Sequence, residues 1–134
     1  MKKLTEIEGI GASYSGKLQN AGIDNIEDLL EKGSAPKGRK ELAENTGISD
    51  KLILRWVNMA DLFRIKGVGE EYADLLEAGG VDTVPELSQR NPENLHKKLE
   101  EVNSEKKLVH RAPTEAEVKG WIENAKTLSK VVTY

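Results

Sequence analysis

The apolar residues of this chain recur every three to four positions in short segments, and no segment alternates between apolar and polar residues for long enough to predict a strand. This spacing places the apolar side chains on one face of a helix, so we expect an all-α protein. Glycine interrupts the pattern and separates the helices. The predicted helices lie near residues 3–8, 13–21, 25–32, 37–46, 50–63, 70–78, 84–90, 93–103 and 115–128.

The apolar pattern occurs twice along the chain. A shift of 58 residues lays residues 7–33 over 65–91 with eight of 27 positions identical, and a shift of 65 pairs Trp56 with Trp121. Such self-similarity indicates a duplicated structural unit. We predict two tandem repeats of about 65 residues, 1–63 and 64–134, packed as one compact helical unit. The shared register places both tryptophans in the core and argues against a role in stacking on nucleic-acid bases.

Residues that favour helix ends flank several predicted helices. Asp24 with Glu27, and Thr114 with Glu117, have the spacing of a capping box, in which two side chains satisfy free amides of the first helical turn. The stretch 103–112 lacks periodicity and is predicted to be a loop. Three glycines follow predicted helices and suit the left-handed conformation that ends a helix: Gly22, Gly33 and Gly47.

Two segments place one apolar residue between two glycines directly before a predicted helix: residues 7–11, the first turn, and residues 65–69, the second turn. Glycine permits a tight turn in which the apolar side chain points inward and the backbone amides point outward. Those amides open the following helix, and a helix N-terminus with free N–H groups binds anions, phosphate in particular. Each turn is therefore a candidate phosphate site.

These turns, each followed by a helix and then by Gly-Ile-Asp or Gly-Val-Asp before another helix, resemble the helix-hairpin-helix family. The resemblance implies sequence-independent binding of a DNA backbone through the amides of the turn. It carries over to Gly9, Ile10 and Gly11 with the amides up to Ser13, and to Gly67, Val68 and Gly69. The whole chain, including residues 39–43, Trp56 and residues 131–134, also resembles DUF4332, a bacterial family of unknown function built from such motifs.

The charges beside the two turns differ, and this difference favours the first turn. Ala12 and Ser13 follow the first turn, whereas Glu70 and Glu71 follow the second, where they would repel a phosphate. Residues 32–40 carry a net charge of +4 and residues 64–86 a net charge of -4. The predicted nucleic-acid-binding residues are therefore Gly9, Ile10, Gly11, Ser13, Lys17, Lys37, Arg39 and Lys40.

Composition limits the affinity and the location that can be expected. The chain has 134 residues, 20 Lys and Arg against 23 Asp and Glu, and a formal net charge of -3, so it lacks the basic excess of a protein that coats DNA. Any binding to a DNA or RNA backbone should be weak. No apolar run approaches the roughly 20 residues of a membrane span, and the first residues do not read as a signal peptide. We expect a cytoplasmic protein without membrane partners.

The sequence carries no recognisable catalytic constellation. The chain has no cysteine, and its two histidines, His96 and His110, lie in lysine-rich surroundings without the spacing of metal ligands. We expect no enzyme activity, no cofactor and no metal site. The alternative to nucleic-acid binding is a scaffold, in which the acidic second repeat and the apolar residues at 131–134 contact another protein or a second copy of this chain.

Overall fold

The computed structural model describes residues 2–134; Met1, in the first predicted repeat, lies outside the described residues. The protein is all-α, as predicted, and residues 2–134 contain no strand. A short 3-10 helix, Leu4–Glu6, precedes the first α-helix. The α-helices are α1 (Ala12–Asn20), α2 (Ile26–Gly33), α3 (Pro36–Thr46), α4 (Asp50–Leu62), α5 (Glu70–Ala78), α6 (Val84–Ser88), α7 (Pro92–Lys106) and α8 (Glu115–Thr127). No helix within the described range is long and apolar enough to cross a membrane.

The chain divides into two compact units. Unit 1 runs up to Asp61 and also contains Val131–Tyr134, while unit 2 is Leu62–Lys130. The boundary lies two residues before the predicted one at 63/64. The segment 131–134, which we call the strap, packs on unit 1 although it follows the last helix of unit 2. The predicted second repeat, 64–134, includes these four residues.

Each unit contains a tryptophan in its core, and each tryptophan packs against a tyrosine of the same unit. Trp56 is 0% exposed and its ring centroid lies 5.0 Å from that of Tyr14, in an edge-to-face arrangement. Trp121 is 5% exposed and lies 5.1 Å from Tyr72. Burial of both tryptophans is confirmed. The Tyr72 hydroxyl donates to the Arg111 carbonyl at 3.1 Å, whereas within residues 2–134 the Tyr14 hydroxyl has no hydrogen-bond partner.

The helix ends follow the prediction at two of the three glycines. Gly22 and Gly47 have φ angles of +89° and +72°, as expected for residues that end α1 and α3. The prediction is wrong for Gly33, which is the last residue of α2 and has no positive φ. Gly33 is instead required by packing, because a Cβ at this position would fall on the Cγ2 of Val57 in α4.

The N-terminus of α2 is capped one residue later than predicted. Asn25, not Asp24, is the N-cap, and its side chain accepts from the Asp28 amide at 2.8 Å. Glu27 does not complete a capping box; its carboxylate accepts from the Lys2 amide at 3.0 Å. Both aspartate and asparagine are favoured at the N-cap position, so residue type alone does not decide between Asp24 and Asn25.

Helix α7 extends further than predicted, which shortens the predicted loop. It continues to Lys106 and ends at Lys107, which adopts a left-handed conformation with φ of +52°. The side chain of Asn103 forms two hydrogen bonds with the backbone of Val109: it accepts from the amide at 2.9 Å and donates to the carbonyl at 3.2 Å. These bonds order the connection between α7 and α8. The first residues of the predicted loop, up to Lys106, therefore belong to α7, and only the later residues form the connection.

The capping box of α8 is confirmed and carries an ion pair. Thr114 Oγ1 accepts from the Glu117 amide at 3.1 Å, and Glu117 Oε1 accepts from the Thr114 amide at 3.0 Å. The Arg111 guanidinium donates to both oxygens of the same carboxylate, at 2.8 and 2.9 Å. This bidentate hydrogen bond, with the Thr114 amide, lowers the pKa of Glu117 to about 2.

We expect Glu117→Gln to destabilise the protein near neutral pH and to lose this effect in acid. A carboxyl whose pKa is lower in the folded than in the unfolded state stabilises the fold above its ordinary value of 4.5, and this contribution fades as the pH falls to about 2. The difference in Tm between wild type and Glu117→Gln should therefore shrink from about pH 5 to about pH 2. The difference in Tm should be small, because the side chains of Arg111 and Glu117 are 63% and 35% exposed.

Glu123→Gln, at an exposed site on the same helix, is the control for this measurement. It should leave the acid dependence of Tm unchanged. A Tm difference for Glu117→Gln that stays constant across the acid range would contradict the role of the Arg111 pair.

Candidate nucleic-acid interface

The first turn has the compact geometry predicted from its glycines. The Ile10 amide donates to the Ile7 carbonyl at 3.1 Å, and Gly9 reaches a φ of +97°, which an L side chain rarely adopts. Ile10 is 4% exposed, so its side chain anchors the turn in the core of unit 1. The chain then leaves the turn in an extended conformation at Gly11, the N-cap of α1.

The N-terminus of α1 is open. Gly11 has no side chain with which to cap the helix, and Gly11, Ala12 and Ser13 are all exposed. Within residues 2–134 the amides of Ala12, Ser13 and Tyr14 have no hydrogen-bond partner. Free N–H groups at the positive end of a helix dipole attract an anion. The structure thus places four of the predicted residues, Gly9, Ile10, Gly11 and Ser13, together at one open helix end.

Two side chains of α4 lie beneath the first turn. A Cβ built at Gly9 would lie 3.4 Å from Nη1 of Arg55 and 3.5 Å from Nε1 of Trp56. The indole therefore supports the turn, and a half-buried guanidinium borders it. Sequence reasoning missed Arg55. Its signal was available, because Arg55 precedes Trp56 where the other repeat has Gly120 before Trp121.

Lys17 lies in the last turn of α1 and not at its open N-terminus. It is exposed on α1, one helical turn after Tyr14, and its Nζ lies 5.9 Å from the centroid of the Tyr14 ring. The ring in turn packs on Trp56. Tyr14 therefore links the ammonium group of Lys17 to the tryptophan that supports the first turn.

The second turn repeats the backbone geometry but differs in its charges. The Val68 amide donates to the Ile65 carbonyl at 3.1 Å, and Gly67 has a φ of +90°. A Cβ at Gly67 would lie 3.4 Å from Nε1 of Trp121, which matches the support of the first turn. However, α5 begins with Glu70 and Glu71, which complement the dipole of their own helix.

The predicted basic cluster on α3 is split by the structure. Lys37 and Lys40 are exposed, whereas Arg39 is 6% exposed. Its Nη1 donates to the carbonyls of Gly33 at 2.8 Å and Ser34 at 3.0 Å, and its Nη2 donates to the Thr133 carbonyl at 2.7 Å. Burial lowers the pKa of Arg39 from its ordinary value, while Tyr134 and Asp50 act in the opposite direction. In this arrangement Arg39 joins α2, α3 and the strap.

Helix α4 connects the cluster on α3 with the first turn. A cavity of about 280 Å³ is lined by Pro36, Arg39, Lys40, Asp50 and Leu54. Leu54 faces this cavity, and the next residue, Arg55, borders Gly9. Helix α4 therefore contacts both the basic cluster of α3 and the first turn, through consecutive residues that point in different directions.

Comparison with known proteins identifies the family of the chain. A family model described as a domain of unknown function (DUF4332) matches residues 8–128, which include the glycines of both turns. The chain belongs to the DUF4332 family. Comparison with curated proteins and with solved structures finds no match.

The described part of this DUF4332 chain brings no metal-binding group together. Among residues 2–134, no set of three or more His, Asp or Glu side chains is arranged to hold a metal ion. The Nδ1 of His96 lies 3.5 Å from the Glu100 carboxylate, one turn further along α7, and His110 is exposed on the connection to α8.

Proposed function

We propose that this DUF4332 protein is a non-enzymatic module of the helix-hairpin-helix type that binds a DNA or RNA backbone weakly and without sequence preference. The binding site is the first turn with the N-terminus of α1. The observation that carries the proposal is the open helix end at Gly11, Ala12 and Ser13 with the Arg55 guanidinium beside Gly9.

The groups at this site suit a phosphodiester. Two or three amides donate in the direction of the helix axis, and a guanidinium supplies charge and a forked pair of donors. Lys17, Lys37 and Lys40 are exposed in the same unit and can contact neighbouring phosphates. Contacts to phosphate carry no information about the bases, so binding should not discriminate between sequences.

The second turn is proposed to be a structural copy that does not bind phosphate. Its backbone is the same, but Glu70 and Glu71 place two carboxylates at the helix end, and Gly120 stands where Arg55 stands in unit 1. At about 5 Å and an effective dielectric between about 20 and 80, each carboxylate opposes a phosphate charge by on the order of 1–3 kcal/mol. That repulsion is comparable with the gain from a few amide hydrogen bonds.

We expect wild-type protein to bind a short DNA duplex at low salt and to lose this binding steeply as salt is added. Three or four phosphate contacts predict a slope of log affinity against log salt of roughly -3 to -4. Ser13→Glu should abolish the binding, because the new carboxylate lies where the phosphate would be held. Arg55→Gln should weaken it and make the slope shallower by about 0.9. Fluorescence anisotropy with labelled duplexes of two unrelated sequences measures all of these quantities.

The second turn offers a reciprocal control. Glu70→Ala and Glu71→Ser combined with Gly120→Arg rebuilds the first site there and should increase the affinity of the full chain. A Cβ at Gly120 meets no atom within 4 Å, so the position accepts a side chain. Binding that resists high salt, prefers one sequence or survives Ser13→Glu would contradict the proposal. Absence of binding at low salt would favour the scaffold function instead.

A further inference from the structure

The strap is held on unit 1 by hydrogen bonds and by a buried side chain. The Thr133 amide donates to the Ser34 carbonyl at 2.7 Å, and Arg39 donates back to the Thr133 carbonyl at 2.7 Å. Val132 is 2% exposed, so its side chain is buried in unit 1. The Tyr134 hydroxyl donates to Asn58 Oδ1 at 3.2 Å. The backbone of one residue, Thr133, is thus clamped on both sides.

Arg39 has two functionally different edges in this clamp. Its Nη1 is anchored within unit 1, on the carbonyls of Gly33 and Ser34. Its Nη2 donates to the strap, and the Tyr134 ring lies 5.9 Å from the guanidinium carbon. If the strap leaves, the anchored edge stays in place and the Nη2 edge loses the Thr133 carbonyl as its acceptor. A guanidinium held in this way is already oriented toward an incoming acceptor, and a phosphate oxygen is the acceptor that its fork suits best.

We propose that the strap is releasable, and that its release adds the Nη2 edge of Arg39 to the phosphate-binding surface of unit 1. In the closed state the Thr133 carbonyl occupies the position that a phosphate oxygen takes in the open state. This inference rests on the proposed function of the first turn, because it adds a cation to that surface. It assigns the strap an autoinhibitory role.

Two features allow the strap to open without unfolding the rest of unit 1. Val132 is the one buried side chain among residues 131–134, and segments that bury little apolar surface open locally at a small fraction of the global stability. The preceding residues, Ser129 and Lys130, are exposed, and the backbone at Leu128 is extended with φ of -95°. Ser129 and Lys130 therefore add no buried contact that would hold the strap in place.

The surroundings of Arg39 are suited to a nucleic-acid backbone once the strap is open. Lys37 and Lys40 are exposed on the same helix, and Arg39 with Lys40 lines the cavity beside Leu54. Asp50 also lines this cavity and is the carboxylate that a phosphate would have to avoid. Lys37, Arg39 and Lys40 outnumber this carboxylate, so release of the strap turns a structural arginine into a third cation of α3 that a phosphate can reach.

The test compares Val132→Ser with wild type in the full chain. Loss of the buried apolar contact should release the strap, and the backbone amide signals of residues 131–134 should then move to random-coil positions in NMR spectra. Affinity for a DNA duplex should rise about three- to tenfold at low salt, and the salt slope should steepen by about 0.9, the value of one further phosphate contact. Thr133→Ser keeps both backbone bonds and the hydroxyl, and it should behave as wild type.

Arg39→Gln added to Val132→Ser identifies the group responsible, and it should remove both the gain in affinity and the change in slope. Should Val132→Ser fail to fold, Thr133→Pro deletes the amide that donates to Ser34 and should release the strap by another route. The inference is overturned if the strap is released and the slope is unchanged, if the gain persists without Arg39, or if neither variant frees residues 131–134. Ser13→Glu, measured alongside, reports separately on the first turn and so distinguishes failure of the proposed function.

Discussion

Replacement of Trp56 or Trp121 by alanine is expected to lower the free energy of unfolding by about 3–5 kcal/mol, the usual cost of removing a large aromatic side chain from a core. Trp56 is 0% and Trp121 5% exposed, and each packs on a tyrosine of its own unit. Each indole also lies beneath a glycine of a turn, since a Cβ built there would lie 3.5 Å from Nε1 in unit 1 and 3.4 Å from Nε1 in unit 2. The loss therefore combines apolar burial, an aromatic pair worth about 0.5–1.5 kcal/mol and support of the turn.

Thermal unfolding and urea denaturation measure this effect. In a domain of 60–100 residues each kcal/mol shifts Tm by roughly 4–8 °C, so a fall of more than about 10 °C is expected for either variant. Trp56→Phe and Trp121→Phe are matched controls that keep an aromatic ring and should cost markedly less. An unchanged Tm for the alanine variants, or tryptophan emission typical of an indole in water, would contradict the assignment of these residues to the core.

Gly38→Ala is expected to destabilise unit 1 by about 1–3 kcal/mol or more, although alanine is the better helix former. Gly38 lies in α3, and a Cβ there would fall on the backbone carbonyl oxygen of Lys32 in α2. A backbone atom cannot move aside as a flexible side chain can, so the two helices must separate. The steric cost therefore outweighs the gain of up to about 1 kcal/mol in helix propensity.

Gly120→Ala provides the matched control for this prediction. Gly120 lies inside α8, has no positive φ, and its Cβ would meet no atom within 4 Å. The same substitution should here stabilise the protein by about 0.4–1 kcal/mol. Urea denaturation of both variants should give free energies of opposite sign relative to wild type. If Gly38→Ala is as stable as Gly120→Ala, α2 and α3 do not approach as closely as described.

The placement of Arg39 and Arg55 shows how far a linear pattern defines a site. Both are basic residues on helices, and the sequence favoured Arg39 because it lies between Lys37 and Lys40. The structure buries Arg39 on three carbonyls, one of them 94 residues away in the strap. It places Arg55, which has no basic neighbours in sequence, beside Gly9 of the first turn. The role of each arginine depends on the groups that it contacts in the folded protein, and the spacing of basic residues along the chain does not predict those contacts.

The sequence by itself determined the all-α class, the two turns and the burial of both tryptophans. These features depend on residues within about four positions of each other or on a register that recurs, and helix periodicity and capping are local properties. Only the tertiary structure decided the role of Arg39, the contact of Arg55 with the first turn and the packing of the strap on unit 1. These contacts join residues distant along the chain, and close packing between helices selects them.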